Sequence, residues 1–367
     1  MKKLLEKVVC LFCCLSLCCM SFTVNAAANV DLAKETYCED VLLQMSHGFS
    51  LQPMNTGDTI NISNSFLLYN FIEEPVAIFY KIDPVGYAIY DFKNGIVLQY
   101  STESNHRFYV DKNDHYYYEG LLEYYTKTEG GFLNLITGIV KDVDLHNYSF
   151  TANDFYANGN VVKESNIGLY SASEGPVYLL KNTRLYNCNK SVNFPTFYPD
   201  KTTAELSKCP GVCGSVAVAI MLECYDDYYA LPTGYSFVDS TVKASNPYYP
   251  DIYGIELVKQ VVPYIEPSAN GSFLLDSGVR SYLSDRNING GVALGVLAVY
   301  QQTKYAIGSD GSGWPVIVGN TKHYCVAIGY QDVTQKQIYV NNGYGDKEWY
   351  NANTIVSTWT MVVNGTK

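Results

Sequence analysis

Residues 211–229 read GVCGSVAVAIMLECYDDYY: a cysteine and two small residues stand in front of seven consecutive apolar ones, and the run ends in acids. An all-apolar run does not declare its period, so a buried strand and a buried helix are both open. Three features favour a helix: no proline lies between Cys213 and Tyr229, the run is near 16 residues long, and it contains Ala217 and Ala219. Asp226 and Asp227 argue the other way, because acids sit badly at the negative end of a helix dipole. A helix here puts Cys213 at its N-terminus, where unpaired N–H groups and the dipole favour a thiolate. Cysteine is also among the most buried residue types, so the bland alternative is a core thiol.

A nucleophilic thiol needs a base, and the chain has five histidines: His47, His106, His115, His146 and His323. Four precede residue 150; His323 alone lies in the C-terminal half. It opens the alternating run HYCVAIGY, which reaches a turn at QDVTQK and returns as QIYVNNG, the pattern of a β-hairpin. Pairing brings His323, at the start of one strand, near Asn341 and Asn342, at the end of the other. If Tyr330 pairs with Gln337, Asn342 lies opposite Cys325, two positions from His323 on the same face; a two-residue slip sets it opposite His323 itself. A one-residue slip turns Asn342 away and makes Asn341 the candidate. A thiol, an imidazole and an amide in this relation support acyl transfer. Cys213 attacks a carbonyl, His323 holds and returns the proton, and the Asn342 amide fixes the ring tautomer. Such a pair can lower a thiol pKa from ~8.5 to ~3–4. The backbone N–H of Cys213 is the expected oxyanion donor.

Outward from this constellation, the first residues, MKKLLEKVVCLFCCLSLCCMSFTVNAAA, carry a basic start, an apolar stretch and a small-residue pattern, the features of a secretory signal with cleavage expected after Ala26. No later segment reaches the ~18 apolar residues of a membrane span. Lys2, Lys3, Lys7 and Glu6 carry a net +2, so the formal charge of −11 becomes −13 without them, which argues against nucleic acid or an anionic membrane as partner. Five of the 11 cysteines lie in the signal. The remaining six are too few for a disulfide-built scaffold of this length. Cys209 and Cys213 have a metal-like spacing, but no second Cys/His pair completes a zinc site, and neither metal nor cofactor is expected. Cys209 is expected to bridge Cys188 or stay buried, and Cys325 to be core.

Between residues 65 and 101 the runs SFLLYNF, VAIFYKI, GYAIYDF and IVLQYS alternate between turn residues and predict an antiparallel sheet, after a short amphipathic helix within 31–54. The 34 tyrosines suit a half-buried β surface. Residues 150–180 are polar and weakly patterned, which suggests an interdomain connection. Beyond them CGSVAVAIMLECYDDYY and DIYGIELVKQVVPYIE read as helices, and WPVIVG, HYCVAIGY and KQIYVNNG as strands. The organisation expected is a signal, 1–26; a sheet-rich α+β domain, 27–180; and a mixed α+β domain, 181–367.

Cys213, Gly214, Ser215 and Ala217, then WPVIVGNTKHYCVAIGY, then Asn342, Gly343, Tyr344 and Gly345 with Trp349 after, resemble the papain-like cysteine peptidases, in particular the bacterial secreted branch related to streptopain and to bacteriocin-leader peptidases. The resemblance covers about residues 185–367. It implies an α+β fold with a central helix on an antiparallel sheet, a Cys213–His323–Asn342 triad, and a protein or peptide substrate. The plant-type signature, aligned on CGS, would put Val216 at the nucleophile; the bacterial branch sets the nucleophile before Gly-small. The 110-residue interval from Cys213 to His323 also suits that branch better than the ~130–150 of the papain signature. The family's oxyanion glutamine is absent, since no Gln stands between Gln99 and Gln260; Ser207, Lys208 or Asn193 are the substitutes in reach. Residues 30–150 look like the propeptide-type domain before streptopain-like enzymes. That likeness implies a secreted zymogen whose own N-terminal domain inhibits it until cleavage around 165–186. Two other readings remain: a thiol amidase acting on cell-wall peptide, and a catalytically silent binding protein on the same scaffold.

Overall fold

The computed structural model describes residues 37–50, 60–102, 106, 108, 115–136, 138–150, 177–179, 212–228, 236–239, 242, 250–265, 275–296, 298–308, 313–320, 323–332, 335–343 and 347–363. The chain divides into two compact units, Met1–Leu43 and Gln44–Lys367. The first holds the start of helix α1 (Cys38–Ser50). The expected export signal lies outside the described residues. The second unit is mixed α+β, with one large, mainly antiparallel sheet and few helices among the described residues.

Strands β1 (Asn61–Tyr69), β2 (Pro75–Asp83), β3 (Tyr87–Asp91) and β4 (Ile96–Ser101) form the antiparallel meander that the period-two runs predict. β5 (Tyr116–Tyr118) joins β1 in parallel, and β6 (Tyr124–Thr128), β7 (Gly131–Asn134) and β8 (Val140–Lys141) continue antiparallel. Gln44 of α1 donates to the Gly95 carbonyl at 3.1 Å and accepts from the Val97 N–H at 2.8 Å. β3 and β4 are buried along their whole length and β2 along most of it. Side chains alternate between the faces of a strand, so strands covered on both faces leave no solvent side for tyrosine. The half-buried tyrosine surface expected from composition is instead core: Tyr80, Tyr87, Tyr90 and Tyr100 are fully buried.

Helix α2 (Cys213–Tyr228) is the helix read from the opening stretch, and residues 212–226 are buried throughout, as an all-apolar helix requires. Asp226, which argued against this helix, is tied down by main-chain donors: its carboxylate accepts the N–H groups of Phe237 at 2.8 Å and Val238 at 3.1 Å. Charge-assisted bonds of this kind outweigh the small penalty at the dipole's negative end. The second expected helix is α3 (Pro250–Val261); α4 (Leu275–Ser284) and α5 (Val299–Ile307) follow. The remaining strands are β9 (Val177–Leu179), β10 (Gly290–Gly295), β11 (Val316–Gly319), β12 (Tyr324–Asp332), β13 (Lys336–Asn341), β14 (Lys347–Asn351) and β15 (Ser357–Val363).

Among the described residues the sheet runs β10-β15-β11-β12-β13-β14-β4-β3-β2-β1-β5-β6-β7-β8, with β9 on β12. The regions expected at 27–180 and 181–367 therefore share one sheet. They meet where Trp349 of β14 lies opposite Tyr100 of β4, and Tyr350 opposite Gln99. The Tyr100 and Trp349 rings stack with centroids 6.1 Å apart, and Ser101 Oγ donates to the Lys347 carbonyl at 3.0 Å. Residues 151–176, where the interdomain connection was expected, lie outside the described residues. No described helix is long and apolar enough to cross a membrane.

Candidate active site

Cys213 opens α2. The first helical bond runs from the Val216 N–H to the Val212 carbonyl at 2.9 Å, and Val212 has no side-chain oxygen with which to cap the helix. The main-chain N–H groups of Tyr324, at the start of β12, and of Gly214 and Cys213 itself favour its thiolate. His323 immediately precedes Tyr324, so the start of α2 meets the main chain next to His323. The backbone of His323 is held from β11 by Asn320, whose Oδ1 accepts the His323 N–H at 2.6 Å and whose own N–H donates to the His323 carbonyl at 3.0 Å.

The β12–β13 hairpin is present, with a register that changes along its length. Near the turn Tyr330 pairs with Ile338, one residue away from the Tyr330–Gln337 pairing considered first. A bulge at Ile328 absorbs the offset, so Ala327 pairs with Val340 and Val326 with Asn341. The pairing ends there, with Asn342 just beyond the last paired residue, Asn341. The group used differs. His323 Nε2 lies 3.3 Å from the main-chain oxygen of Asn342, so a backbone carbonyl meets the ring where a side-chain amide was expected. Gly343, the next residue, sits against α2: a Cβ added there would stand 2.7 Å from Val216 Cγ1.

The electrostatics also depart from expectation. Cys213 is 4% exposed and His323 8%. Burial pushes the Cys213 thiol up to about 11, against the three N–H groups that favour its thiolate. Burial likewise holds His323 down to about 4, the Asn342 carbonyl opposing. The lowered thiol pKa anticipated from the helix N-terminus is thus reversed, because desolvation disfavours both charged forms at once. Burial favours the neutral thiol at Cys213 and the neutral imidazole at His323.

Cys325 is buried core, and burial chiefly, with Glu348 and Cys213 adding, pushes its thiol well up. Cys188, Cys209 and the candidate oxyanion residues Asn193, Ser207 and Lys208 lie outside the described residues. Among the described residues no group of three or more His, Cys, Asp or Glu side chains could hold a metal ion.

A second buried polar constellation lies beyond β13. Gln99 Nε2 lies within hydrogen-bonding distance of Tyr87 Oη at 2.7 Å, of Tyr124 Oη, and of Glu348 Oε2 at 3.2 Å, and the same Glu348 oxygen accepts from Tyr350 Oη at 2.7 Å. Tyr100 Oη donates to Gln337 Oε1 at 3.2 Å and accepts from Gln331 Nε2 at 3.2 Å. Sequence reasoning missed this group, since nothing local in the sequence pairs residue 99 with residue 348. Asn341 was named only as the alternative side-chain partner of His323 after a one-residue slip; its bond to the Gly343 N–H was not foreseen, although Asn two residues before Gly is a recognisable turn signature. No protein-family model, curated protein or solved structure matches the chain.

Proposed function

We propose that the chain is a secreted cysteine endopeptidase, made as a precursor, on a papain-like scaffold. One observation carries the reading: a cysteine opens a buried helix with the N–H of Tyr324 favouring its thiolate, and the ring of His323, the residue before Tyr324, meets the Asn342 carbonyl at 3.3 Å. In the reaction, Sγ of Cys213 passes its proton to His323 and attacks the peptide carbonyl. The amine leaves with that proton, and water then hydrolyses the thioester. The Cys213 N–H is one donor for the oxyanion.

The closed, neutral pair supports a resting precursor. Admitting water or substrate lifts the desolvation that keeps both groups uncharged, and the N–H groups around the sulfur then favour thiolate. The β14–β4 pairing supports a form of the reading in which the N-terminal sheet stays joined to the catalytic part after cleavage. The buried thiol also favours a second reading, a catalytically silent binding scaffold.

The test is intact mass over time for the purified chain beside Cys213→Ala, in reductant at mildly acid pH. The peptidase reading expects the wild type to shed a fragment ending near residues 165–186 and the alanine form to stay whole. If both stay whole, and Cys213 resists alkylation after cleavage by an added protease, the silent reading replaces it.

A further inference from the structure

The carbonyl that meets His323 belongs to the Asn342–Gly343 peptide, and the other end of that same peptide is also held. The Gly343 N–H donates to Asn341 Oδ1 at 2.9 Å. A trans peptide is planar, with its N–H and C=O pointing in opposite directions. Fixing the N–H on Asn341 therefore fixes where the Asn342 oxygen points, which is at His323 Nε2, 3.3 Å away.

Three further features hold this plane. Asn341 is itself fully buried and paired with Val326, in the register that the Ile328 bulge restores. Gly343 has φ of +81°, the left-handed region that glycine adopts without strain. Its Cα is pressed against Val216, one helical turn after Cys213, so the turn is keyed to the helix that carries the thiol.

A carbonyl oxygen only accepts. Its contact requires the hydrogen of the neutral ring to sit on Nε2, which puts the lone pair on Nδ1. We propose that Asn341 is the positioning residue of this site: its side chain orients the Asn342–Gly343 peptide, whose carbonyl sets the tautomer and orientation of His323, and the Asn342 side chain is not the orienting group. The proposal rests on the Cys213–His323 reading above and changes which asparagine serves it.

The test is ¹⁵N NMR of imidazole-labelled full chain above pH 7, with His323 assigned by the signals lost in His323→Gln. Wild type and Asn342→Ala are expected to hold the Nε2–H tautomer, since both keep the carbonyl. Asn341→Ala is expected to give mixed tautomers and Asn341→Asp, which keeps an acceptor oxygen, to restore the single form. Alkylation of Cys213 in processed chain should fall about 100-fold in Asn341→Ala, the scale of a misplaced catalytic group, and stay near wild type in Asn342→Ala.

The proposal is overturned if wild type holds Nδ1–H, or if Asn342→Ala loses the Nε2–H form while Asn341→Ala keeps it. Should Asn341→Ala not fold, the near-isosteric Asn341→Leu, which also lacks the acceptor oxygen for the Gly343 N–H, takes its place in the comparison. The tautomer needs no turnover. A chain whose Cys213 never reacts defeats the peptidase reading, while the NMR result still judges Asn341.

Discussion

Two buried polar groups flank β13, and they are built differently. At the seam between β4 and β14, side chains satisfy side chains: Gln99, Glu348, Tyr87, Tyr124 and Tyr350 bond one another. At the candidate site the partners of the chemically active side chains are main-chain atoms, the Tyr324 N–H for Cys213 and the Asn342 carbonyl for His323. A side-chain network is held by packing and can be dismantled one residue at a time. A site made of main-chain atoms moves only when the backbone does. It can therefore hold a thiol and an imidazole in place while leaving their protonation to burial and solvent.

The comparison breaks first at Cys213. Cys213→Ala should abolish self-processing, a loss beyond about 10⁴-fold for a nucleophile, with a urea midpoint close to wild type; processing that persists rules out the assignment. The seam should respond in the opposite sense. Trp349→Ala removes a buried ring stacked on Tyr100 and Tyr339, and should cost about 3–5 kcal/mol. Urea unfolding, followed by tyrosine fluorescence and by hydrogen exchange in β2–β3, should show both regions weakened. Loss confined to β12–β15 would mean that the seam carries little energy.

A pH titration sharpens the contrast. His323 is held at about 4 in the folded chain against 6.5 for the free side chain. Above pH 6.5 the ring is neutral in both states and its contribution is complete. As pH falls from 6.5 towards 4 the unfolded chain takes up a proton that the folded chain refuses, a loss of about 3 kcal/mol. Urea midpoints across that window should fall further for wild type than for His323→Gln, and equal falls would place the ring in solvent. The smallest effect belongs to Asp226, whose carboxylate serves two backbone donors outside both constellations. Asp226→Asn, which keeps one acceptor oxygen, should cost about 1–2 kcal/mol and leave self-processing unchanged.

Much of this was legible where the information is local. Period-two runs located β1 to β4, and the absence of proline over a span near 16 residues around a seven-residue apolar run located α2. The hairpin that brings His323 to Asn342 followed from a turn and two alternating runs. The Ile328 bulge did not, because a one-residue insertion leaves no mark on the hydrophobic pattern when both faces of the strand are buried. The use of the Asn342 carbonyl was equally hidden, since a sequence specifies side chains and every residue has the same carbonyl. The direction of the Cys213 shift depended on burial by strands more than 100 residues away, whereas the helix N-terminus is visible on the spot. The seam was illegible for a similar reason: Tyr100 and Trp349 find each other through the fold.

That seam also bears on the order in which the chain can assemble. Gln99 and Glu348 are 249 residues apart, so β4 acquires its second neighbour only after the long intervening stretch has been made. Until then one flank of β4 is an open edge rich in apolar and aromatic residues, the kind of edge that recruits stray strands. Closing so long a loop is slow, and contacts of such separation delay folding. A chain emerging from a ribosome or a translocation channel would therefore leave β4 unpaired on that flank until Lys347–Asn351 arrives. Truncations before Lys347 would fail by aggregation before they failed by lost activity.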